Sequence, residues 1–202
     1  MSIESANDTG VAAAVEALKR GSVIAYPTET VYGLGADPFS EPALDALFKI
    51  KAREPDKPVL MIVDRLEQIE GRLAAISPAA KRCMERFWPG PLSLVLPAIS
   101  GLPKSLTDKT GRICVRCPDH PVARQLCRLF GGPLTSTSAN RSGQPPARCP
   151  EAALLPGVAL VVDAGLLDEL PPSTVFDPEN GKILRQGPVT LEMLEDVVAL
   201  SL

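Results

Sequence analysis

The chain has 202 residues, enough for one domain that buries most of its apolar surface without disulfide or metal staples. Hydrophobic residues make up 45% and charged residues 22%, and the formal net charge is -3, so a protein whose main work is coating nucleic acid is excluded. No apolar run approaches the ~18 residues of a membrane span, the first ten residues lack the apolar core of a secretory signal, and five cysteines are an odd set, so reduced thiols in a cytoplasmic protein are expected.

In chain order, Val11, Ala14, Val15 and Leu18 form an apolar stripe at helical spacing, and Gly21 closes that helix. Val23 to Tyr26 is a short strand stopped by Pro27. Ser40-Glu41-Pro42 supplies a cap, an acid and an early proline for a second helix, on which Leu44, Leu47, Phe48 and Lys51 lie along one side. Strands are expected at Val59 to Val63, Leu92 to Leu96, Ile113 to Cys117, Val158 to Asp163, Ser173 to Asp177 and Lys182 to Gln186. Helices are expected at Pro78 to Phe87, at Pro121 to Phe130 before Gly131-Gly132, and at Thr190 to Leu200. Strands and helices interleave without strict βαβ regularity. This predicts a single α/β domain with a twisted, mixed, open sheet and flanking helices.

Three segments read unlike core. Tyr26-Pro27-Thr28-Glu29-Thr30-Val31-Tyr32-Gly33-Leu34-Gly35 follows a strand and crowds hydroxyls, a carboxylate and glycines into one loop, which suits the lining of a crevice or, equally, a capped turn before a helix. Gly33-Leu34-Gly35 alone is weak evidence for phosphate, and no P-loop pattern occurs. Lys51-Ala52-Arg53 with Lys57 places cations near a helix end. If the chain is extended there, Lys51 and Arg53 share a face that suits a carboxylate or polyphosphate; the same residues suit a solvated helix C-terminus. Thr135-Ser136-Thr137-Ser138-Ala139-Asn140-Arg141-Ser142-Gly143 makes a poor core strand but a good hydrogen-bonding surface, or a plain polar loop.

Taken together these segments resemble the YrdC/TsaC family, whose hallmark is Lys-x-Arg followed far downstream by Ser-x-Asn, here Lys51-x-Arg53 and Ser138-x-Asn140. The run from Tyr26 to Gly35, Trp88-Pro-Gly-Pro, Val115-Arg116-x-Pro118-x-His120, Ser173-Thr174-Val175 and Leu184-Arg185-Gln186-Gly187 are similar to further family motifs. The resemblance spans about residues 10–187 of a single domain. It implies the short, single-domain form of an L-threonylcarbamoyladenylate synthase, a nucleotidyltransferase that joins L-threonine, bicarbonate or carbon dioxide, and ATP with Mg²⁺. Partner threonylcarbamoyl-transferase proteins would then modify adenosine 37 of tRNAs, with a direct tRNA contact left open and no membrane involved. Carried over residue by residue, Lys51, Arg53, Ser138 and Asn140 are catalytic. Thr28, Thr30, Arg116 and Ser173 meet threonine, and Arg53, Lys57, Ser136, Ser138, Asn140 and Arg185 meet the nucleotide. No protein-held metal is implied. The strand Val59 to Val63 departs from some longer relatives in lacking a histidine. An RNA-binding module of the same fold, or a paralogue making another carbamoyl-adenylate, is the alternative.

Cys114-x-x-Cys117 lies on a predicted strand, where residues three apart face opposite sides, so the pair reads as structural rather than as a redox or zinc site. His120 reads as a local hydrogen-bonding residue in a turn, and Asp168-Glu169 as solvated loop.

Overall fold

A ten-stranded sheet carries the molecule, seen in a computed structural model that describes residues 1–52 and 57–198. In chain order the elements are β1 (Ser2–Ser5), α1 (Asp8–Lys19), β2 (Ile24–Pro27), β3 (Tyr32–Gly35), α2 (Glu41–Lys51), β4 (Leu60–Ile62), α3 (Glu67–Glu70), α4 (Pro78–Phe87), β5 (Leu92–Pro97), β6 (Arg112–Arg116), α5 (Pro121–Phe130), β7 (Leu134–Ser138), α6 (Pro150–Ala153), β8 (Leu160–Asp163), β9 (Thr174–Asp177), β10 (Lys182–Arg185) and α7 (Leu191–Val198). The strand order is β1-β8-β2-β3-β7-β4-β6-β5-β9-β10. Among the described residues four pairs are parallel (β1 with β8, β8 with β2, β4 with β6, β5 with β9) and the other five antiparallel, so the predicted mixed α/β sheet is found.

Strand periodicity explains how the helices are shared between the faces. Ala25 and Leu34 belong to an apolar cluster with Ala43 and Leu47 of α2 and Ala153 of α6. On the same face farther along, Met61, Leu94 and Val115 pack with Ala80, Cys83 and Phe87 of α4 and Leu194 of α7. The alternate residues Ile24, Tyr26, Ile62, Leu134, Leu160 and Val162 pack against Val11, Ala14 and Leu18 of α1 and Val122 and Leu126 of α5. Burying each such side chain contributes about 1.5–3 kcal/mol before conformational entropy is subtracted. One face is thus roofed along its length, whereas α1 and α5 roof only part of the other.

The local signals act as their chemistry predicts at several ends. Asn7 caps α1 by accepting from Gly10 N (2.9 Å), Ser77 caps α4 through Ala80 N (3.2 Å), and Gly131 closes α5 at φ 84°. Thr190 accepts from Met193 N (3.3 Å) at the start of α7, and the expected last turn of that helix, at residues 199 and 200, lies outside the described residues. Ser40 precedes α2 without a side-chain cap bond.

Two expectations are corrected. The segment after Pro27 is a β-hairpin, β2 to β3, and not a loop entering a helix. The hydroxyl-rich run is strand β7, lying between β3 and β4 well inside the sheet. Hydroxyls are tolerated there because they find partners: Thr135, fully buried, accepts from Ala36 N at 2.8 Å through Oγ1, and its carbonyl accepts from Tyr26 Oη at 3.1 Å. β1, a four-residue edge strand of polar and apolar residues, is also absent from the sequence expectation.

Candidate active site

The uncovered part of the second sheet face forms the floor of a cavity of about 320 Å³. Alternation sets most of the residues that appear there, although at the end of β7 Thr137 joins Ser136 and Ser138 in the lining. On β7, Leu134 packs under α5 while Ser136 and Ser138 reach the cavity; on β4, Ile62 packs under α5 while Leu60 reaches it. Register sets Ser136 beside Leu60 and puts Cys114 and Arg116 on the adjoining strand β6. The turn after β2 supplies Thr28 and Thr30, and the ends of β9 and β10 supply Ser173 and Arg185. Seven residues proposed from sequence (Thr28, Thr30, Arg116, Ser136, Ser138, Ser173 and Arg185) therefore line one cavity although they span 158 positions from 28 to 185, counted inclusively. The described lining holds two arginines and no carboxylate, so the cavity suits anions. A larger hollow of about 540 Å³ between α2 and residues 101–105, flanked by Glu41, Asp45 and Lys104, contains none of these residues.

Lys51 is the last residue of α2 and is 3% exposed. Its Nζ donates to Ser138 O (2.6 Å), Ser138 Oγ (3.1 Å) and Asn140 Oδ1 (2.5 Å). Ser138 Oγ also donates to Asn140 Oδ1 at 2.6 Å, and Asn140 Nδ2 donates to Gln144 O, which sets the amide orientation. Ser142 closes the loop onto α2, with its N and Oγ both donating to Lys51 O (2.9 and 3.1 Å). The Lys and Ser-x-Asn motifs, 87 positions apart, are thus one network. The extended lead-out from Lys51 is corrected: Lys51 is helical, and Ala52 turns left-handed (φ 48°) as the C-cap. Arg53 lies outside the described residues. Lys57 is exposed and is not among the described lining residues.

At the opposite side, Thr28 Oγ1 donates to Val31 O (2.7 Å) and shares a bond with Thr30 Oγ1 (3.1 Å), so the turn is pinned by its own hydroxyls. Arg116 is buried. Its Nε donates to Gly90 O (2.9 Å), Nη1 approaches Thr30 Oγ1 (3.5 Å), and Nη2 pairs with Glu29. Gly90 belongs to the Trp88-Pro-Gly-Pro segment, which explains why that segment travels with the site.

Arg185 forks onto Ser173, with Nε and Nη2 donating to its carbonyl (3.0 and 2.9 Å) and Nη2 also to Oγ (3.0 Å). Desolvation, with Arg116 nearby, lowers the Arg185 pKa from its ordinary value. Ser93, fully buried on β5, sits behind Ser173 with the hydroxyls 2.9 Å apart; sequence reasoning missed it because a lone serine in an apolar strand carries no motif. Gly187 allows the backbone crossing at this point, since a Cβ there would lie 2.3 Å from Pro172 O and 2.4 Å from Thr174 N. Gly35 has the same kind of role: an added Cβ would meet Tyr26 Cε1 at 2.6 Å, so this glycine makes room for a ring, whereas Gly33 lines the cavity.

Cys114 and Cys117 diverge as expected. Cys117 is buried and donates to Asp64 O (3.3 Å), whereas Cys114 lines the cavity, with burial pushing its thiol up to about 12. All five thiols are free, and no three or more His, Cys, Asp or Glu converge among the described residues. His120 is corrected: it stands at the start of α5 without capping it, its Nδ1 is buried with no hydrogen-bond partner, and burial lowers its pKa. Glu169 is exposed and reaches Arg148 at 3.6 Å. No helix among the described residues is long and apolar enough to cross a membrane.

Known proteins share this arrangement. The Sua5/YciO/YrdC family model, described as telomere recombination, matches residues 16–187. The threonylcarbamoyl-AMP synthase of Chromohalobacter salexigens is 40% identical over 179 residues, covering 87% of this chain and 96% of that protein. That of Thiobacillus denitrificans is 42% identical over 170 residues, covering 83% and 90%. Among solved structures, P. abyssi Sua5 complexed with L-threonine superposes with a TM-score of 0.91 at 32% identity, covering 97% of this chain and 60% of that one. This chain therefore spans less than two thirds of that archaeal protein. E. coli YciO shares the fold, with a TM-score of 0.84 at 24% identity over 96% of this chain and 98% of that one. The chain belongs to the Sua5/YciO/YrdC family.

Proposed function

We propose that this chain is a threonylcarbamoyl-AMP synthase, a nucleotidyltransferase that takes L-threonine, bicarbonate (or carbon dioxide) and the magnesium complex of ATP. The observation that carries the reading is one cavity whose described lining brings hydroxyls and two guanidiniums together without a carboxylate, with the buried Lys51 joined to that lining through its bonds to Ser138. The bacterial relatives named for this activity match over most of their length, and a structural neighbour was solved with L-threonine.

The chemistry asks for such a site. The neutral threonine amine forms an N–C bond to the carbon of carbon dioxide, releasing one proton, or to that of bicarbonate, releasing one water made from the bicarbonate hydroxyl and an amine hydrogen. A carbamate oxygen then attacks the α-phosphorus of ATP, and the bond to the β-phosphate oxygen breaks as pyrophosphate leaves. The carbamate and the triphosphate it attacks are both anionic, so the adenylation step rests on positioning and charge neutralisation, and no protein nucleophile is required. Lys51 with Arg53 would hold carbamate and phosphate oxygens, and Ser138 and Asn140 would orient phosphate or ribose. Thr28, Thr30, Arg116 and Ser173 would receive threonine. Ser136, Lys57 and Arg185 would serve the nucleotide. Magnesium would arrive on the triphosphate, held by phosphate oxygens and water. The family domain would occupy about residues 10–187 of a single cytoplasmic unit. The product would pass to threonylcarbamoyl-transferase proteins acting on tRNA adenosine 37.

The test is incorporation of labelled bicarbonate. The purified protein with ATP, Mg²⁺ and L-threonine is expected to yield a labelled adenylate whose mass equals threonylcarbamoyl-AMP. A labelled adenylate formed without threonine would point to another carbamoyl acceptor. No adenylate, together with salt-sensitive tRNA binding, would favour the RNA-binding reading.

A further inference from the structure

Glu29 stands in the middle of the entry motif, yet it does not line the cavity. Thr28 and Thr30 face the site, and the glutamate between them turns behind Arg116. The Arg116 side chain is 4% exposed and that of Glu29 18%, so the pair is largely removed from water. A guanidinium buried this deeply needs a counter-charge, because an unpaired ion in a low-dielectric interior is strongly disfavoured. Glu29 is the carboxylate that pairs with Arg116 among the described residues. The pairing also ties three segments together. Glu29 Oε1 accepts from Asp119 N (3.0 Å) at the approach to α5, Arg116 Nε donates to Gly90 O (2.9 Å), and Nη1 reaches Thr30 Oγ1 (3.5 Å). Arg116 Nη2 pairs with Glu29 Oε1, while Glu29 Oε2 has no hydrogen-bond partner, so the contact is a single-oxygen charge pair and not a closed bidentate fork.

We propose that Glu29 is a positioning residue for the amino-acid end of the site: it fixes the Arg116 guanidinium at the cavity wall beside Thr28 and Thr30. The inference rests on the proposed threonine reading of that end. Other charged or titratable groups lie nearby. His120 and Asp119 are on the far side of Glu29, and Arg185 lies across the cavity, joined to Ser173. None of them forms an ion pair with Arg116.

The test compares wild type, Glu29→Gln and Glu29→Asp. Pyrophosphate release is titrated with threonine at saturating ATP, and with ATP at saturating threonine. In Glu29→Gln the threonine KM is expected to rise about tenfold, with kcat reduced less than threefold and the ATP KM within twofold. Glu29→Asp, which keeps the charge, is expected to recover part of the loss. An unchanged or lower threonine KM, or threonine and ATP KM values rising together, overturns the proposal. A second readout does not depend on the reaction: solvent exchange of the Arg116 Nε proton in ¹⁵N-arginine-labelled protein. Glu29→Gln is expected to speed that exchange at least tenfold, and no change overturns the positioning role. If wild type releases no pyrophosphate with threonine, the threonine reading fails while the exchange measurement still judges Glu29.

Discussion

Replacing Lys51 by methionine removes one ammonium and keeps most of the side chain's volume. In the native structure that ammonium donates to three oxygens, on Ser138 and Asn140, at 2.5–3.1 Å. Hydrogen bonds to a charged group contribute about 1.5–3 kcal/mol each when intact. The Ser138 Oγ to Asn140 Oδ1 bond survives in the variant, so the loop is not left wholly unpartnered. Methionine also removes the desolvation cost of burying an ammonium, which offsets much of that loss; a net loss of about 1–3 kcal/mol of stability is expected, which for a chain of this size lowers Tm by roughly 2–12 °C. The catalytic loss is larger. A positioned cation facing charge that develops in the transition state resembles an oxyanion-hole donor, whose removal costs about 10²–10³ in kcat, or roughly 2.7–4 kcal/mol. Stopped assays of pyrophosphate release, run below the variant's Tm with circular dichroism as a check on folding, should show kcat reduced about 100- to 1000-fold. A folded Lys51→Met protein with kcat within threefold of wild type refutes the assignment of Lys51.

Gly187→Ala forces a Cβ against the backbone of residues 172–174, so Ser173 must move; the threonine KM should rise several-fold, while circular dichroism still reports the native fold. Gly35→Ala pushes on the buried Tyr26 ring and should lower unfolding stability by about 1–3 kcal/mol in urea titrations. Burial alone would raise the pKa of Asp64, but the bonds and charges of Arg128 and Arg124 prevail and hold it below the ordinary carboxylate value. A depressed folded pKa adds stability that is present above about pH 4 and is lost as pH falls toward the folded value. Asp64→Asn should therefore be less stable than wild type at pH 7, and the gap should narrow below pH 4; a gap independent of pH contradicts the reasoning.

Much of the fold was legible because its amphipathic signals are local. Pro121 to Phe130 and Pro78 to Phe87 match the helices residue for residue, since a proline at the start and a glycine or β-residue at the end bound each one. β7 was not legible as a strand: Thr-Ser-Thr-Ser reads as polar loop until its partners on β2, β3 and β4 are known, and those partners come from positions 24 to 62. β3 hid for a related reason, because its two glycines carry no side-chain pattern and make sense only once the Tyr26 ring fills their space. The site shows the same division. The residues that face the cavity stand in recognisable motifs. Those that hold them from behind, Ser93 under Ser173 and Glu29 behind Arg116, depend on contacts across tens of residues that spacing does not reveal.

The central claim is tested most directly by following pyrophosphate release from ATP and Mg²⁺ while omitting one component at a time. The account predicts release that requires both L-threonine and bicarbonate and that collapses when either is withheld. Release that proceeds equally without threonine, or no release from folded protein with every component present, would contradict it.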